Sequence, residues 1–158
     1  MKKKIIGILL CIMMVVSLLT ACGAKETGNT GKGKTVGVCM PTKDLQRWNQ
    51  DGDNMKKELE KAGYKVDLQY ANNEIATQVS QIENMITNGV DVLVIASIDG
   101  GSLGTVLADA KKKGIPVIAY DRLIMETDAV SYYATFDNYK VGQIQGEYIV
   151  KTLDLDNQ

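Results

Sequence analysis

Polar side chains follow several runs of the sequence that predict buried strands, at the points where those strands would end. Asp121 and Arg122 come directly after residues 115–120, an almost wholly apolar run rich in β-branched side chains. Such a run is typical of a parallel strand that helices cover on both faces. The polar and aromatic residues that follow the other predicted strands are Lys43, Asp44, Arg47, Trp48, Ser97, Asp99, Phe136, Asp137 and Asn138. Because ligands of open α/β sheets bind at the carboxyl ends of the strands, we expect one binding site at this edge.

The residue types at this edge favour binding of a polyhydroxylated ligand over catalysis. The chain has no histidine, the side chain most often used for proton transfer near neutral pH, and no nucleophile stands beside a base. No cysteine pair has metal-binding spacing, and no cofactor is expected. Aspartate accepts two hydrogen bonds from neighbouring hydroxyls, arginine donates through a rigid fork and asparagine does both. The apolar face of a pyranose packs on a flat ring such as Trp48, so the pattern predicts a sugar site.

Each candidate also has a structural alternative. Asp121 and Arg122 could pair only with each other or with their neighbours. Asn138 could serve only as a helix cap, and Trp48, at helical spacing from Met55, could only fill the core. The residues that we predict to contact the sugar are Lys43, Arg47, Trp48, Asp121, Arg122, Asp137 and Asn138.

Strand and helix patterns alternate from Lys34 onward. Strands are predicted over residues 34–40, 65–70, 91–96, 115–120 and 130–135, and a first helix over residues 47–62. Three further helices are predicted from their inward-facing apolar residues, which are Ile75, Val79, Ile82 and Ile86, then Leu103, Val106, Leu107 and Ala110, then Val141, Ile144, Tyr148 and Ile149. The predicted helix caps are Asn72 or Asn73, Ser102, and Asp137 or Asn138, with Gly63, Gly89 and Gly114 as stops. This alternation predicts right-handed βαβ units and a doubly wound, Rossmann-like parallel sheet of the α/β class.

The N-terminus has the pattern of an export signal. Three lysines follow Met1, residues 5–19 are apolar, and residues 19–22 read Leu-Thr-Ala-Cys, which resembles a bacterial lipobox in which the cysteine receives lipid. The alternative is a membrane-spanning anchor, for which the apolar run is short. We expect a signal peptide over residues 1–21, lipid on Cys22 and a flexible tether over residues 22–33. Of the three cysteines, Cys39 is then left as a small core residue.

Residues 28–35 match the Walker A pattern, with the sequence Gly-Asn-Thr-Gly-Lys-Gly-Lys-Thr. A phosphate-binding loop needs a strand before it and a helix after it. Here a tether precedes the motif and a predicted strand follows it, so we do not expect nucleotide binding. The formal net charge is −1, which shows no electrostatic footprint for nucleic acid.

A set of short motifs resembles one family of proteins. In chain order the motifs are Arg47-Trp48, residues 81–86 (Gln-Ile-Glu-Asn-Met-Ile), 92–96 (Val-Leu-Val-Ile-Ala), 119–122 (Ala-Tyr-Asp-Arg), 136–138 (Phe-Asp-Asn) and Val141-Gly142. From about Lys34 to about Val150, the chain resembles the xylose-binding and multiple-sugar-binding branch of the type I periplasmic binding proteins. This resemblance implies two Rossmann-like lobes joined by a hinge, with a monosaccharide gripped between them. It also implies that Arg47, Trp48, Asp121, Arg122 and Asn138 contact the sugar.

The resemblance further implies a role outside the cytoplasm. Such receptors deliver an aldose of the xylose, glucose or galactose kind to the permease of an ABC importer, and the alternative is a receptor that signals to a membrane sensor kinase or chemoreceptor. Family members are longer than this chain, so residues 34–158 are expected to be the N-terminal lobe, with the second lobe absent. A transcriptional regulator would need a helix-turn-helix where the export signal lies. An enzyme on a flavodoxin-like sheet would need a glycine-rich phosphate loop after the first strand.

Overall fold

The computed structural model describes residues 33–154. The strands are β1 (Thr35–Met40), β2 (Lys65–Tyr70), β3 (Val92–Ile95), β4 (Val117–Tyr120) and β5 (Val130–Ala134). The helices are α1 (Gln46–Lys61), α2 (Ile75–Thr87), α3 (Gly104–Lys112) and α4 (Asn138–Thr152). The predicted signal peptide, the lipid site at Cys22 and nearly all of the tether lie outside the described residues.

The strands form a single five-stranded parallel sheet in the order β2-β1-β3-β4-β5. Val38 of β1 lies opposite Leu68 of β2 on one side and Val94 of β3 on the other. The chain winds outward from β1 to β2 and then crosses to β3, so the strand order reverses between β1 and β3. The predicted doubly wound α/β fold is therefore confirmed, and its topological switch point lies at the carboxyl ends of these two strands.

Each central strand buries side chains on both faces of the sheet, since successive side chains of a strand point to opposite sides. On one face Leu93 and Ile95 pack with the buried residues of α2 and α3. On the other face Val38 and Val94 pack with Trp48 of α1. Two hydrophobic cores therefore sandwich the sheet, as expected for a parallel sheet of this kind.

The first three helices end where glycine permits a left-handed backbone. Gly63 follows α1 with φ of +92°, and its N–H donates to the carbonyl of Glu60 at 2.9 Å. The next residue, Tyr64, donates to the carbonyl of Leu59 at 3.0 Å, so the last carbonyls of α1 are satisfied. Gly89 and Gly114 have the same role after α2 and α3, as predicted.

Two of the predicted N-terminal caps are wrong, namely Asn72 or Asn73 for α2 and Ser102 for α3. The residues at the cap positions of α2 and α3 are Glu74 and Leu103, and neither makes a capping hydrogen bond through its side chain. Asn72 and Asn73 instead have left-handed φ values of 53° and 59° and form the turn after β2. Asparagine tolerates this conformation, so the local sequence favours a turn there as well as a cap.

The predicted inward face of α4 is also wrong. Val141, Ile144, Tyr148 and Ile149 are between 43% and 69% exposed, and α4 has no buried residue. An amphipathic pattern specifies which face of a helix is apolar, but burial also needs a surface that covers that face. Among residues 33–154 no element does so, and residues 131–134 of the edge strand β5 are likewise exposed.

The structure bears on three other features of the sequence. Thr35 opens β1, so a strand and not a helix follows the Walker-like stretch, as predicted. Within the described part of the chain, no helix is long and apolar enough to cross a membrane. Cys39 lies in the core, and burial raises the pKa of its thiol to about 12.

Candidate functional site

Asp121 marks the end of β4 with an unusual backbone conformation. Its φ is +62°, which aspartate tolerates better than most residues. Its N–H donates to the carbonyl of Ala134 at 2.7 Å, and its own carbonyl accepts from the hydroxyls of Thr135 at 3.1 Å and Tyr133 at 3.2 Å. The residues at the end of β5 thus stabilise the turn that carries the Asp121 carboxylate.

The Asp121 carboxylate pairs with Arg47 of α1. Nη2 of Arg47 donates to Oδ1 of Asp121, and Nε of Arg47 lies 3.4 Å from Oδ2 of Asp51, one helical turn further along. The hydrogen bond with Asp121 raises the pKa of Arg47. The Asp121 side chain is 15% exposed and that of Arg47 47% exposed, so the pair lies at the surface of the sheet's carboxyl edge.

The aromatic residue at the site is Trp48, which is only 2% exposed. The guanidinium groups of Arg47 and Arg122 lie 4.7 Å and 5.1 Å from its ring centroid, within the range of cation–π attraction. The indole Nε1 is buried and has no hydrogen-bond partner in the described structure. Trp48 therefore fills the core on the α1 face, and its ring also contacts the guanidinium groups of both arginines.

Arg122 does not pair with its neighbour Asp121. Its Nη1 donates to the backbone carbonyl of Ser97 at 3.0 Å, and Ser97 follows β3. The structural alternative of a local Asp121–Arg122 pair is thus wrong, since Asp121 binds Arg47 from another element. Sequence reasoning named Ser97 for its side chain, but its carbonyl is the group used, and such a backbone contact has no sequence signal.

The segment after β5 closes one side of the site. The guanidinium of Arg47 lies 5.7 Å from the ring centroid of Phe136, which is largely exposed. A cavity of about 220 Å³ is lined by Tyr120, Asp121, Ala134, Thr135 and Phe136. Asn138 is exposed at the first position of α4. The structure thus brings Arg47, Trp48, Asp121 and Arg122 into one cluster with Phe136 beside it, and Asn138 follows Phe136 by two residues in the chain.

Two of the predicted site residues have other contacts. The Lys43 ammonium lies 5.0 Å from the ring centroid of Tyr70 at the end of β2. This contact does not involve the Arg47–Asp121 pair. Oδ1 of Asp137 accepts from the N–H of Lys140 at 2.9 Å, which makes Asp137 the N-cap of α4. The predicted cap is therefore confirmed, and this hydrogen bond occupies one of the carboxylate oxygens.

The cap suggests a test of this structural role of Asp137. Replacing Asp137 with alanine removes the cap and is expected to destabilise α4 by about 1 kcal/mol, because α4 has no buried residue to hold it. Amide hydrogen exchange of α4 should be faster in this variant. Serine at position 137 keeps a capping oxygen and should restore slow exchange. Equal exchange in the alanine variant and the native protein would contradict the capping role.

Sequence reasoning missed Asp51 and Tyr120 as members of this cluster. Burial raises the pKa of Tyr120, and the nearby Asp51 carboxylate raises it further. Asp51 lies one turn after Arg47, so the i, i+4 ion pair was a signal available in the sequence. No group of acidic, cysteine or histidine side chains within residues 33–154 is arranged to hold a metal ion.

The fold is a doubly wound α/β domain that carries a polar cluster, the candidate binding site, at the carboxyl edge of its sheet. A family model described as a periplasmic binding protein domain matches residues 36–156. The chain is 52% identical over 143 residues to the multiple sugar-binding periplasmic protein SbpA of Azospirillum brasilense, an alignment that covers 90% of this chain and 40% of SbpA. It is 41% identical over 157 residues to the D-xylose-binding periplasmic protein of Escherichia coli, with 99% and 45% coverage.

Solved structures agree with these relatives. An ABC transporter solute binding protein of Clostridium phytofermentans, with bound β-D-glucose, is 76% identical with a TM-score of 0.75, over 78% of this chain and 38% of that one. A carbohydrate transporter solute binding protein of Chloroflexus aurantiacus, in complex with D-glucose, is 40% identical with a TM-score of 0.69, over 75% of this chain and 35% of that one.

The chain belongs to the periplasmic binding protein family. Its resemblance to the type I sugar-binding members is confirmed, and these proteins are solute receptors and not enzymes, as predicted. The chain spans less than half the length of these two curated relatives.

Proposed function

We propose that this protein is an extracytoplasmic receptor that binds a monosaccharide, an aldose of the xylose, glucose or galactose kind, at the carboxyl edge of its sheet. The observation that carries the proposal is the cluster in which Asp121, Arg47 and Arg122 meet at this edge above Trp48. The sugar names of the relatives and the glucose bound in two similar structures support the same ligand class.

The cluster retains the hydrogen-bonding capacity that a sugar needs. A carboxylate offers about four acceptor positions and a guanidinium five donors, and the contacts of Asp121 and Arg47 use only some of them. In our proposal, Asp121 accepts from two neighbouring hydroxyls while Arg47 and Arg122 donate to others. The Asp121 carboxylate orients the guanidinium of Arg47, so this part of the site is preorganised before the ligand arrives.

The surrounding residues complete the proposed site. The amide of Asn138 donates and accepts at the start of α4, and the cavity beside Phe136 receives part of the sugar ring. The sequence predicts that the Trp48 ring packs on the sugar, but only 2% of Trp48 is exposed, so the proposal gives it an indirect part through the two arginines that lie over its ring, while its buried face packs in the core. Lys43 and Asp137 are assigned to the rim of the site, where Tyr70 and the N-terminus of α4 are their present partners.

We further propose that the receptor delivers its sugar to the permease of an ABC importer and that lipid on Cys22 anchors it to the outer face of the cell membrane. Two glucose-bound structural neighbours are described as transporter solute binding proteins, which supports the importer. The lipobox-like Leu-Thr-Ala-Cys at residues 19–22 supports the anchor. An anchored receptor stays close to its permease, which raises their effective concentration.

The sugar assignment is tested with a panel of ligands on the full-length protein purified in detergent. D-xylose, D-glucose, D-galactose and L-arabinose are compared with sugar phosphates and ATP, and the melting temperature is recorded. A ligand that binds only the native state adds about 2.7 kcal/mol of stability at one hundred times its Kd, so one or two aldoses should raise the melting temperature. The proposal would be overturned if ATP alone raised the melting temperature, or if none of the sugars raised it.

Replacing Cys22 with alanine is expected to move the protein from the membrane fraction to the soluble fraction, because the variant has no thiol at the lipobox position to receive lipid. The measurement is cell fractionation together with incorporation of labelled fatty acid. Cys39→Ala is the matched control. It removes a thiol that lies in the core and leaves Cys22 intact, so this variant should stay lipidated. If the Cys22→Ala protein remained in the membrane without label, the apolar run at residues 5–19 would be the anchor instead.

A further inference from the structure

Two glutamines of α2 reach the carboxyl ends of three neighbouring strands. Gln78 and Gln81 are three residues apart and therefore share one face of the helix. The amide of Gln81 donates to the carbonyl of Tyr70 at the end of β2, at 3.0 Å. Cys39 of β1 lies between them, with its Sγ 3.4 Å from Oε1 of Gln81 and 3.8 Å from Nε2 of Gln78. This glutamine pair thus connects β2, β1 and β3 at the edge that carries the candidate site.

Gln78 holds the segment that follows β3. It is fully buried; its Nε2 donates to the carbonyl of Ala96 at 3.1 Å, and its Oε1 accepts from the N–H of Ile98 at 2.9 Å. These two bonds bracket Ser97 on both sides. They fix the peptide group before Ser97 and the peptide group that the Ser97 carbonyl shares with the Ile98 N–H, and a buried amide with all of its partners in place is costly to disturb.

The Ser97 carbonyl is the group that holds Arg122. Nη1 of Arg122 donates to it at 3.0 Å, and the same guanidinium lies 5.1 Å from the Trp48 ring centroid. Gln78 belongs to the α2 side of the sheet, whereas Trp48 belongs to the core on the opposite, α1 side. The contacts therefore run from α2, around the carboxyl edge of the sheet, to the arginine on the other side.

We propose that Gln78 is a positioning residue for ligand binding: it orients the Ser97 carbonyl, and that carbonyl holds the Arg122 guanidinium over Trp48. The inference rests on the proposed function in one respect, namely that Arg122 contacts the sugar. Gln78 itself is buried beneath the site and does not touch the ligand. A glutamine that only stabilised the core would have no specific effect on Arg122, and this difference can be measured.

Trp48 provides the readout because it is the only tryptophan of the chain. The quantity measured is the change in Trp48 emission caused by Arg122→Ala, first in the native background and then in Gln78→Met and Gln81→Met backgrounds, without sugar. Methionine keeps the unbranched shape of glutamine but makes no comparable hydrogen bonds. Gln81→Met is the matched control, since it removes a half-buried amide from the same helix without touching the residues on either side of Ser97.

We expect Arg122→Ala to change the emission fully in the Gln81→Met background and to have little or no effect in the Gln78→Met background. In the native Arg122 background, Gln78→Met alone should reproduce most of the Arg122→Ala change. A full Arg122-dependent change in the Gln78→Met background would overturn the inference. Because these measurements contain no sugar, a negative ligand panel would reject the proposed function and leave this result unaffected.

A second measurement covers the case in which Gln78→Met folds poorly. Gln78→Glu keeps the side-chain length and an oxygen to accept from Ile98, and in its ionised form it has no N–H for the Ala96 carbonyl. Hydrogen exchange of the Ile98 amide should be faster in Gln78→Met than in Gln78→Glu, while the amides of β3 stay protected in both. For sugar affinity, Gln78→Met, or Gln78→Glu where Gln78→Met folds poorly, should cause about a tenfold loss, as expected for a contact near 1.4 kcal/mol, and should add no further loss to Arg122→Ala. Additive losses, or unchanged exchange at Ile98, would contradict a positioning role.

Discussion

Replacing Asp121 with asparagine is expected to weaken monosaccharide binding by about tenfold to a hundredfold. A hydrogen bond to a charged group is worth about 1.5 to 3 kcal/mol, and every 1.4 kcal/mol is a factor of ten in Kd. The variant loses the charge that holds Arg47, and an amide NH2 replaces one of the two carboxylate oxygens that we assign to sugar hydroxyls. Asparagine tolerates the left-handed φ of +62° at this position, so the turn after β4 should be kept.

Titration calorimetry on the full-length protein measures the effect, with a sugar that raises the melting temperature of the native protein. Asp109→Asn is the matched control, because Asp109 also pairs with a basic side chain, Lys112 at 2.9 Å, but lies on α3 away from the candidate site. The control should bind with native affinity. If both variants bound the sugar equally well, Asp121 would serve only to pair with Arg47, and the sugar site would have to be placed elsewhere.

Replacing Leu93 with alanine is expected to lower the free energy of unfolding by about 2 to 5 kcal/mol, through lost burial and the cavity left behind. Leu93 of β3 is fully buried and lies between Gly37 of β1 and Val117 of β4 in the sheet. A Cβ atom at Gly37 would lie 3.1 Å from Cδ2 of Leu93 and 2.9 Å from Sδ of Met85. The side chain of Leu93 thus occupies space that the neighbouring strand leaves open, and alanine cannot fill it.

Urea unfolding followed by circular dichroism gives this free energy. Leu45→Ala is the control, since the same side chain is removed where it is 54% exposed, and a change within about 0.5 kcal/mol is expected there. The dependence on urea concentration should have the same slope in both variants, as it does when only stability changes. A loss below about 1 kcal/mol for Leu93→Ala would mean that the surrounding core collapses into the space.

The apolar face of α4 shows that a local sequence pattern can predict a helix correctly without predicting its burial. The spacing of Val141, Ile144 and Tyr148 correctly predicts a helix with one apolar face, because periodicity is a property of the local chain. Their exposure depends on what packs against that face, which no local pattern contains. The same reasoning explains Ile75, which was predicted to face inward from its spacing and is 41% exposed at the first position of α2.

The sequence by itself determined the order of strands and helices, the doubly wound sheet, and the edge at which the polar residues gather. Alternating buried strands and helices admit few topologies, and parallel strands bring their carboxyl ends to one edge, so Asp121, Arg122, Arg47 and Trp48 could be grouped before any coordinates were known. The helix stops at Gly63, Gly89 and Gly114 were equally readable, since a left-handed residue after a helix favours glycine.

Only the tertiary structure decided which of those residues touch. Asp121 pairs with Arg47, which lies 74 positions earlier in the chain, and not with the adjacent Arg122. Arg122 binds a backbone carbonyl at Ser97, and Gln78 orients that segment from the other face of the sheet. Pairing of this kind depends on strand order, register and the path of each loop. Every residue carries the same carbonyl and N–H groups, so the sequence holds no mark of which ones will be used.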